Sequence, residues 1–389
     1  MSDNSDDLFR TANACSKSGK HEESASLYRQ YVDLRPRSPG GWRGLAYSLL
    51  ALSDWDGAVA ALKEALRLKP DYADARVLYA FALERKGEVA AAIAQYRAGI
   101  ATDLVDVRAF EYLARLHLGR GELKEADRVA REGRRSWPKA LVMRRVLADI
   151  LVKRKRWREA GAEYEAIAAK CPDDPGLACM LGWVRERAGD LQGAKAGYER
   201  ALVLCPDRPE TLVSLGRVLW NLNELDEAEA AYRQAIELSP RHVSSRIWLA
   251  GLLCRRWRVS RSEGDLQAAR REIDWALALA PNADAAVLTL AHIEWKAGNR
   301  QRSLQILENG AQMHPGLPDY HFLLALWSLR QRKLRRAWAA WREFRRFPRA
   351  ELRPYAAWGA LPPAPSEECG AGSPATVESA HDVPGSDPS

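Results

Sequence analysis

The chain has 389 residues, of which 47% are hydrophobic and 28% charged, and its formal net charge is +8. This composition allows most of the chain to fold around a core. No apolar run approaches the ~20 residues of a membrane-spanning helix. The first ten residues, MSDNSDDLFR, are acidic and polar, whereas a signal peptide starts with a basic and then an apolar segment. We therefore expect a cytoplasmic protein.

One pattern recurs every 34 residues: 189–206 read GDLQGAKAGYERALVLCP and 223–240 read NELDEAEAAYRQAIELSP. The Ala, Tyr and Ala of each segment are spaced to share one helix face, and the Pro ends the helix. The Pro position recurs at Pro36, Pro70, Leu104, Pro138, Pro172, Pro206 and Pro240. Pro281 comes seven residues late, and the step then resumes through Pro315 to Pro348. A fixed period of this length is typical of a solenoid of stacked repeats.

These markers divide the chain into a short extension (1–4), ten units (5–351) and a tail (352–389). The tail is rich in Pro, Gly, Ser and acidic residues without periodicity, which predicts disorder. Each unit contains two predicted helices, and most first helices carry a large residue followed by a small one, as in Leu215–Gly216. The residues predicted to end the first helix in a left-handed conformation are Gly19, Gly87, Gly121, Gly189, Asn223 and Gly298.

The pattern resembles the tetratricopeptide repeat (TPR) family, whose motif is W-x2-L-G-x2-Y, then A-x3-F, then P. In the second unit these places are taken by Trp42, Leu45, Ala46, Leu49, Ala58, Leu62, Ala65 and Pro70. In the seventh unit they are taken by Leu212, Leu215, Gly216, Leu219, Ala228, Tyr232, Ala235 and Pro240. The resemblance implies an all-α, right-handed superhelical solenoid of antiparallel helix pairs, whose first helices line a concave groove that holds protein partners.

A partner-binding groove is predicted from the residue that follows each recurring small residue and from neighbours on the same helix face. The candidates are Phe9, Asn13, Arg43, Tyr47, Phe81, Arg115, Arg145, Trp183, Arg217, Trp220, His292 and Trp295. Aromatic residues and Arg are the types that anchor interfaces, so we expect peptide partners with apolar and acidic side chains. The alternative for each aromatic residue is that it completes the packing between repeats.

The eighth unit carries seven extra residues within 254–265, CRRWRVSRSEGD. Seven residues make about two helical turns, so the insertion either lengthens both helices or forms a loop. It is interpreted either as a tolerated surface insertion or as a basic contact loop containing Trp257.

Basic residues are concentrated in 131–158 and 329–349. The candidate basic patches comprise Arg154, Arg156, Arg256, Arg258, Arg335, Arg336, Arg345 and Arg346. The final helix is either the polar cap of the array or a cationic surface for anionic lipid, nucleic acid or an acidic partner. A further alternative is that the acidic tail folds back onto it.

No catalytic, cofactor-binding or metal-binding motif is recognisable. SGKH at 18–21 lacks the first Gly and the Ser or Thr of a phosphate-binding loop, and none of the six cysteines forms a C-x-x-C pair. The sequence therefore favours a non-enzymatic scaffold or adaptor without cofactors. The alternatives are a peripheral membrane or nucleic-acid-associated adaptor that uses the basic patches, and a docking subunit of a separate enzyme.

Overall fold

The computed structural model describes residues 2–101 and 106–347, and this part of the chain is all-α, with 20 helices and no strand. The chain divides into two compact units, and unit 1 ends at Lys170. The helices of unit 1 are α1 (Ser2–Lys17), α2 (His21–Leu34), α3 (Pro39–Ala51), α4 (Trp55–Leu68), α5 (Ala73–Arg85), α6 (Val89–Ile100), α7 (Val107–Gly119), α8 (Leu123–Ser136), α9 (Leu141–Lys153) and α10 (Trp157–Ala168).

Unit 2 begins at Cys171. Its helices are α11 (Pro175–Ala188), α12 (Leu191–Leu204), α13 (Pro209–Leu222), α14 (Leu225–Leu238), α15 (Val243–Ser260), α16 (Glu263–Leu279), α17 (Asp284–Lys296), α18 (Arg300–Met313), α19 (Pro318–Arg330) and α20 (Leu334–Phe344). Odd-numbered helices are the first helices of the repeats. The predicted all-α helical repeat fold is therefore confirmed, and the predicted disordered tail lies outside the described residues.

A left-handed residue ends the first helix of every repeat. All six predicted positions have positive φ, from 67° at Asn223 to 93° at Gly298. In the other four repeats the same place is held by a residue other than Gly or Asn: Ser53, Lys155, Arg261 and Arg332, with φ between 55° and 60°. The chain therefore reverses at each of these positions by the same backbone conformation, whatever residue occupies it.

The recurring small residue of the first helix makes room for a tyrosine of the second helix. A Cβ atom built on Gly216 would lie 2.5 Å from Cε1 of Tyr232, far inside van der Waals contact. Tyr232 is fully buried, as are Tyr28, Tyr96 and Tyr198 on other second helices. The Ala, Tyr and Ala of the second helix, such as Ala228, Tyr232 and Ala235, are all in the core. This packing explains the spacing of the sequence motif.

The seven extra residues of the eighth repeat lengthen both of its helices. α15 has 18 residues and α16 has 17, whereas α17 and α19 each have 13. The predicted contact loop is wrong, because only Arg261 and Ser262 separate the two helices and Trp257 is buried in the core of unit 2. At the N-terminus, α1 begins at Ser2, within the predicted extension. None of the described helices is long and apolar enough to cross a membrane.

The turn after α7 provides a matched pair of glycines. Gly121 has φ +74° and Gly119 is the last residue of α7, and a Cβ atom would meet nothing within 4 Å at either position. We predict that Gly121→Ala lowers the free energy of unfolding by about 1 kcal/mol, because an L-residue is strained in the left-handed conformation. Gly119→Ala should leave it unchanged or raise it slightly, because Ala favours the helix. Urea denaturation followed by circular dichroism measures both, and equal effects would contradict the backbone explanation.

Candidate protein-binding surface

The first helices of successive repeats lie side by side within each unit. In unit 1, α1, α3, α5, α7 and α9 contact one another in that order, and in unit 2 the same holds for α11, α13, α15 and α17. α17 and α19 meet through the stacked rings of Trp295 and Trp327, whose centroids are 4.7 Å apart. We call each row of first helices the first-helix surface of its unit.

At the start of unit 1, two predicted groove residues serve packing between helices. The Phe9 ring lies 5.8 Å from Tyr28 and 5.0 Å from Tyr31, measured between centroids. The Asn13 side chain donates to the carbonyl oxygen of Phe9 at 3.0 Å and accepts from the Tyr28 hydroxyl at 2.7 Å. Both residues therefore anchor α1 on α2. Tyr47 on α3 and Phe81 on α5 are half-buried, and the Phe81 ring also lies 5.7 Å from the ring of Tyr112 on α7, measured between centroids.

Arg43 belongs to an ion-pair network that joins three first helices. Its guanidinium lies 2.7 Å from Asp74 on α5, and Asp74 also pairs with Arg108 on α7. Burial alone would raise the pKa of Asp74, but the two arginines hold the pKa below its usual value. Both guanidinium groups are therefore engaged by one half-buried carboxylate, and Arg43 bridges repeats.

Carboxylates outside the list of predicted groove residues lie on the same surface of unit 1. The Tyr96 hydroxyl donates to Glu84 at 3.0 Å, and the Tyr164 hydroxyl donates to Asp149 at 2.6 Å. Burial raises the pKa of Glu84 and of Asp149. Glu84 lies four places after the recurring small residue of α5, and Asp149 lies one place after that of α9. These positions within the repeat indicate from the sequence that both acids lie on this surface.

Glu111 adds a third carboxylate to this surface, and burial raises its pKa too. Arg115 lies beside it, with 3.1 Å between Nε and the Glu111 carboxylate. Arg115 and Arg145 are both exposed. The surface of unit 1 therefore mixes aromatic, acidic and basic side chains and is not uniformly basic.

Two predicted groove residues of unit 2 lie in the core instead, so this part of the prediction is wrong. Arg217 donates twice to Glu186 on the preceding first helix, at 2.7 and 2.6 Å, and the two side chains are only 10% and 11% exposed. The Trp220 ring is buried edge-on against Trp248, with 6.3 Å between centroids. Arg217 can be buried because Glu186 compensates its charge. Trp183, by contrast, is half-buried against the edge of the core.

The far part of the unit 2 surface is basic and aromatic. His292 and Trp295 on α17 both contact Trp327 on α19, and the His292 and Trp327 centroids are 6.1 Å apart. Burial, together with nearby Lys296 and Arg258, lowers the pKa of His292 to about 3. His292 is therefore neutral at physiological pH.

Most of the predicted basic-patch residues are neutralised by ion pairs. The pairs are Arg154–Asp127, Arg156–Glu159, Arg256–Asp265, Arg336–Glu308 and Arg346–Glu343. Arg256 also pairs with Glu229. Arg258, Arg335 and Arg345 are exposed. Five of the eight charges are thus compensated within the protein. Among the described residues, no three His, Cys, Asp or Glu side chains are grouped to hold a metal ion.

A family model for the tetratricopeptide repeat matches residues 43–104, 112–175, 179–243 and 213–256. These ranges together cover more than half of the chain and repeat the period identified in the sequence. The chain therefore belongs to the tetratricopeptide repeat family, whose members generally act as non-enzymatic scaffolds for protein interactions. No curated protein matches the chain significantly.

Several solved structures are similar to the chain at low identity. A chain of the APC/C hetero-tetramer Cut9–Hcn1 is 14% identical with a TM-score of 0.45, over 62% of this chain and 48% of that chain. This chain thus spans about half the length of that relative. Yeast Tom70 is 14% identical with a TM-score of 0.41, over 90% and 93% of the two chains. Pseudomonas aeruginosa PilF is 18% identical with a TM-score of 0.45, over 55% and 96%.

The burial of Arg217 can be tested against an exposed arginine of the same unit. We predict that Arg217→Met lowers the free energy of unfolding by about 3 kcal/mol, because it leaves the Glu186 carboxylate buried without its partner. Arg233→Met is the control, since Arg233 is 54% exposed and pairs with Glu229 on the same helix. That change should cost less than about 1 kcal/mol. Urea denaturation measures both free energies of unfolding. An equally small decrease for Arg217→Met would contradict the burial of Arg217 and would mean that it is accessible on the surface.

Proposed function

We propose that the protein is a non-catalytic scaffold that holds segments of partner proteins against its first-helix surfaces. Membership of the tetratricopeptide repeat family supports the general role, because family members commonly act as interaction scaffolds. The use of these particular surfaces and the nature of the partner go beyond what the family implies. The residues on the surfaces themselves support both.

The observation that carries the proposal is the presence of half-buried aromatic rings on first helices of each unit. Tyr47, Phe81 and Trp183 each occupy the place that follows the recurring small residue, and each is half-buried. Aromatic residues at such positions dominate binding energy when a partner covers them, because they bury a large area at a low entropic cost. Arg145, which is exposed on the surface of unit 1, would complement acidic side chains of a partner, whereas Arg115 already pairs with Glu111.

The placement of the other candidates narrows the proposed surface. Phe9, Asn13 and Arg43 serve contacts between helices, and Arg217 and Trp220 are in the core. These five residues are better assigned to stability than to recognition. The proposal therefore rests on Tyr47, Phe81 and Arg145 in unit 1, and on Trp183 and the residues around Trp295 in unit 2.

The ion pairs of the basic patches weigh against the alternative of a membrane or nucleic-acid adaptor. A polyanion gains affinity by releasing counterions from many uncompensated cations, and five of the eight patch arginines already pair with carboxylates. Binding of a protein segment should weaken modestly with salt, whereas polyanion binding should fall steeply. A docking subunit of a separate enzyme would use the same surfaces, so it is a special case of the proposal.

Affinity capture with matched variants tests the role of the aromatic rings. We predict that Tyr47→Ala, Phe81→Ala and Trp183→Ala together reduce the retained partner at least tenfold, because each truncated anchor is expected to cost about 1–2 kcal/mol of binding. The control combines Leu34→Ala and Val203→Ala, which remove exposed apolar side chains from second helices. The amount of each protein retained from a cell extract is quantified after circular dichroism has shown equal helicity. Equal retention by both variants would contradict the proposal.

A further inference from the structure

Three basic side chains on successive first helices of unit 2 lack a carboxylate partner among the described residues. They are Arg258 on α15, Lys296 on α17 and Arg330 on α19, and we call them the cationic cluster. None of them takes part in an ion pair within the described part of the chain. Two other arginines of unit 2 are paired: Arg246 with Glu272, and Arg270 with Glu294.

The helix ends that carry the three cations are neighbours: α15 contacts α17, and α17 meets α19 through Trp295 and Trp327, which lie one residue before Lys296 and three before Arg330. The pKa of Lys296 is lowered first by burial and then by Arg258 and Arg330. Arg258 and Lys296 also favour the thiolate of Cys254, although burial keeps the pKa of that thiol raised to about 11. Like charges disfavour one another, so this region of the surface holds positive charge that no described residue compensates.

The lengthening of α15 is what brings Arg258 into the cluster. α17 and α19 end at Lys296 and Arg330, each five residues after the recurring small residue. The corresponding place on α15 is Arg255, and α15 continues for five more residues to Ser260. Five residues add about 7.5 Å of helix. Arg258 is therefore carried by the segment that distinguishes the eighth repeat from the others.

The side chains of Arg255 and Arg256 already have partners within the protein. Arg255 donates to the carbonyl oxygen of Trp220 and to the Asn223 side chain, at 3.3 and 2.7 Å. Arg256 pairs with Asp265 on α16. The exposed Arg258 is thus the member of the Arg255, Arg256 and Arg258 group that remains available to a ligand.

Aromatic rings lie directly beside the cluster. Lys296 follows Trp295, which stacks on Trp327 with an interplanar angle of 12°. The Arg300 guanidinium lies over the Trp295 ring, 5.8 Å from its centroid. Trp295 is half-buried and Arg300 is exposed. The site thus combines uncompensated cations with the half-buried Trp295.

The helix dipole is a simpler explanation for the position of each cation at a helix end. A basic residue in the last turn of a helix is favoured by the helix dipole, and Arg258, Lys296 and Arg330 all occupy last turns. The dipole accounts for each residue singly. It does not account for three such ends meeting without a carboxylate, or for an extended helix that adds one of them.

We propose that the cationic cluster binds the carboxylate side chains of an acidic segment in a partner protein, with Trp295 contacting neighbouring apolar side chains. This inference rests on the proposed function, because it names the partner chemistry for one part of the unit 2 surface. Charge complementarity selects an acidic occupant, and the aromatic neighbours select one with apolar side chains.

The surrounding charges favour a peptide over a nucleic acid. A phosphate backbone needs a continuous basic track. On the preceding first helix Arg217 is buried against Glu186, and the place equivalent to Lys296 is Asn221. Arg336 on α20 and Arg346, which follows that helix, are both paired with glutamates. The basic region is therefore local, which suits a few carboxylates.

The test uses the full chain and a fluorescein-labelled short peptide of alternating Glu and Leu, with a twin in which Gln replaces Glu. We expect Arg258→Gln with Arg330→Gln to weaken binding of the acidic peptide roughly tenfold or more at low salt, since each lost charge contact is expected to cost a few-fold. Both arginines are exposed, so the variant should keep its fold. Binding of the Gln twin should not change. Fluorescence anisotropy measures all affinities.

The control variant removes the same charge elsewhere in unit 2. Arg241→Gln with Arg271→Gln changes two exposed arginines outside the cluster, and we expect the affinity for the acidic peptide to change less than about twofold. Absence of saturable binding to the wild-type chain would overturn the proposal, and so would equal losses in the two double variants. A single-stranded RNA that binds the cluster more tightly than the peptide would also overturn it, in favour of a nucleic acid.

The cluster and the proposed function fail in different ways in this experiment. If the cluster variant binds the acidic peptide as the wild type does, but the Tyr47, Phe81 and Trp183 variant loses it, the cluster is wrong and the first-helix surfaces stand. If neither variant loses the peptide although the wild type binds it, both proposals are wrong.

Discussion

The structure depends on one packing constraint: the apolar face of a helix pair is too wide to be buried within that pair. Gly216 lets the Tyr232 ring approach α13 closely, and Tyr232 also stacks on Trp248 of the following repeat, with 6.3 Å between centroids. The tyrosine therefore links its own repeat to the next one. Within each unit, every second helix that is followed by a further repeat contacts both its own first helix and the next one, so neighbouring repeats of a unit complete one another's core.

This constraint also determines which surface is free. One face of each first helix packs in the core. Basic residues on the remaining face are either paired with a carboxylate of a neighbouring repeat or left unpaired. Where the neighbouring repeat offers a carboxylate, an arginine is drawn into a bridge, as Arg43 is by Asp74 and Arg217 by Glu186. Where it offers none, the charge stays available, as at Arg258 and Lys296. The partner-binding potential of the protein is concentrated in the second group.

The repeat motif predicted the fold because it is local: the spacing of Ala, Tyr, Ala and Pro specifies a helix, its buried face and its end. The turn residues were equally local, and the predicted glycines and Asn223 have positive φ. Whether a single residue of a first helix is buried or exposed depends on contacts between repeats and not on the local sequence. Arg217 is buried because it pairs with Glu186, 31 residues earlier. The choice between two longer helices and a loop for the extra residues of the eighth repeat depends on the tertiary packing around Trp257. A single sequence read repeat by repeat does not contain these contacts.

The most direct measurement of the central claim is the helicity of excised repeats. A peptide of residues 207–242 contains α13 and α14 but none of their neighbours. Circular dichroism should show it largely unfolded, because isolated helices of this length are marginal in water. A fragment of residues 171–282, with three consecutive repeats, should be helical and unfold cooperatively. A folded single repeat would contradict the account, because it would mean that one helix pair can bury its own core.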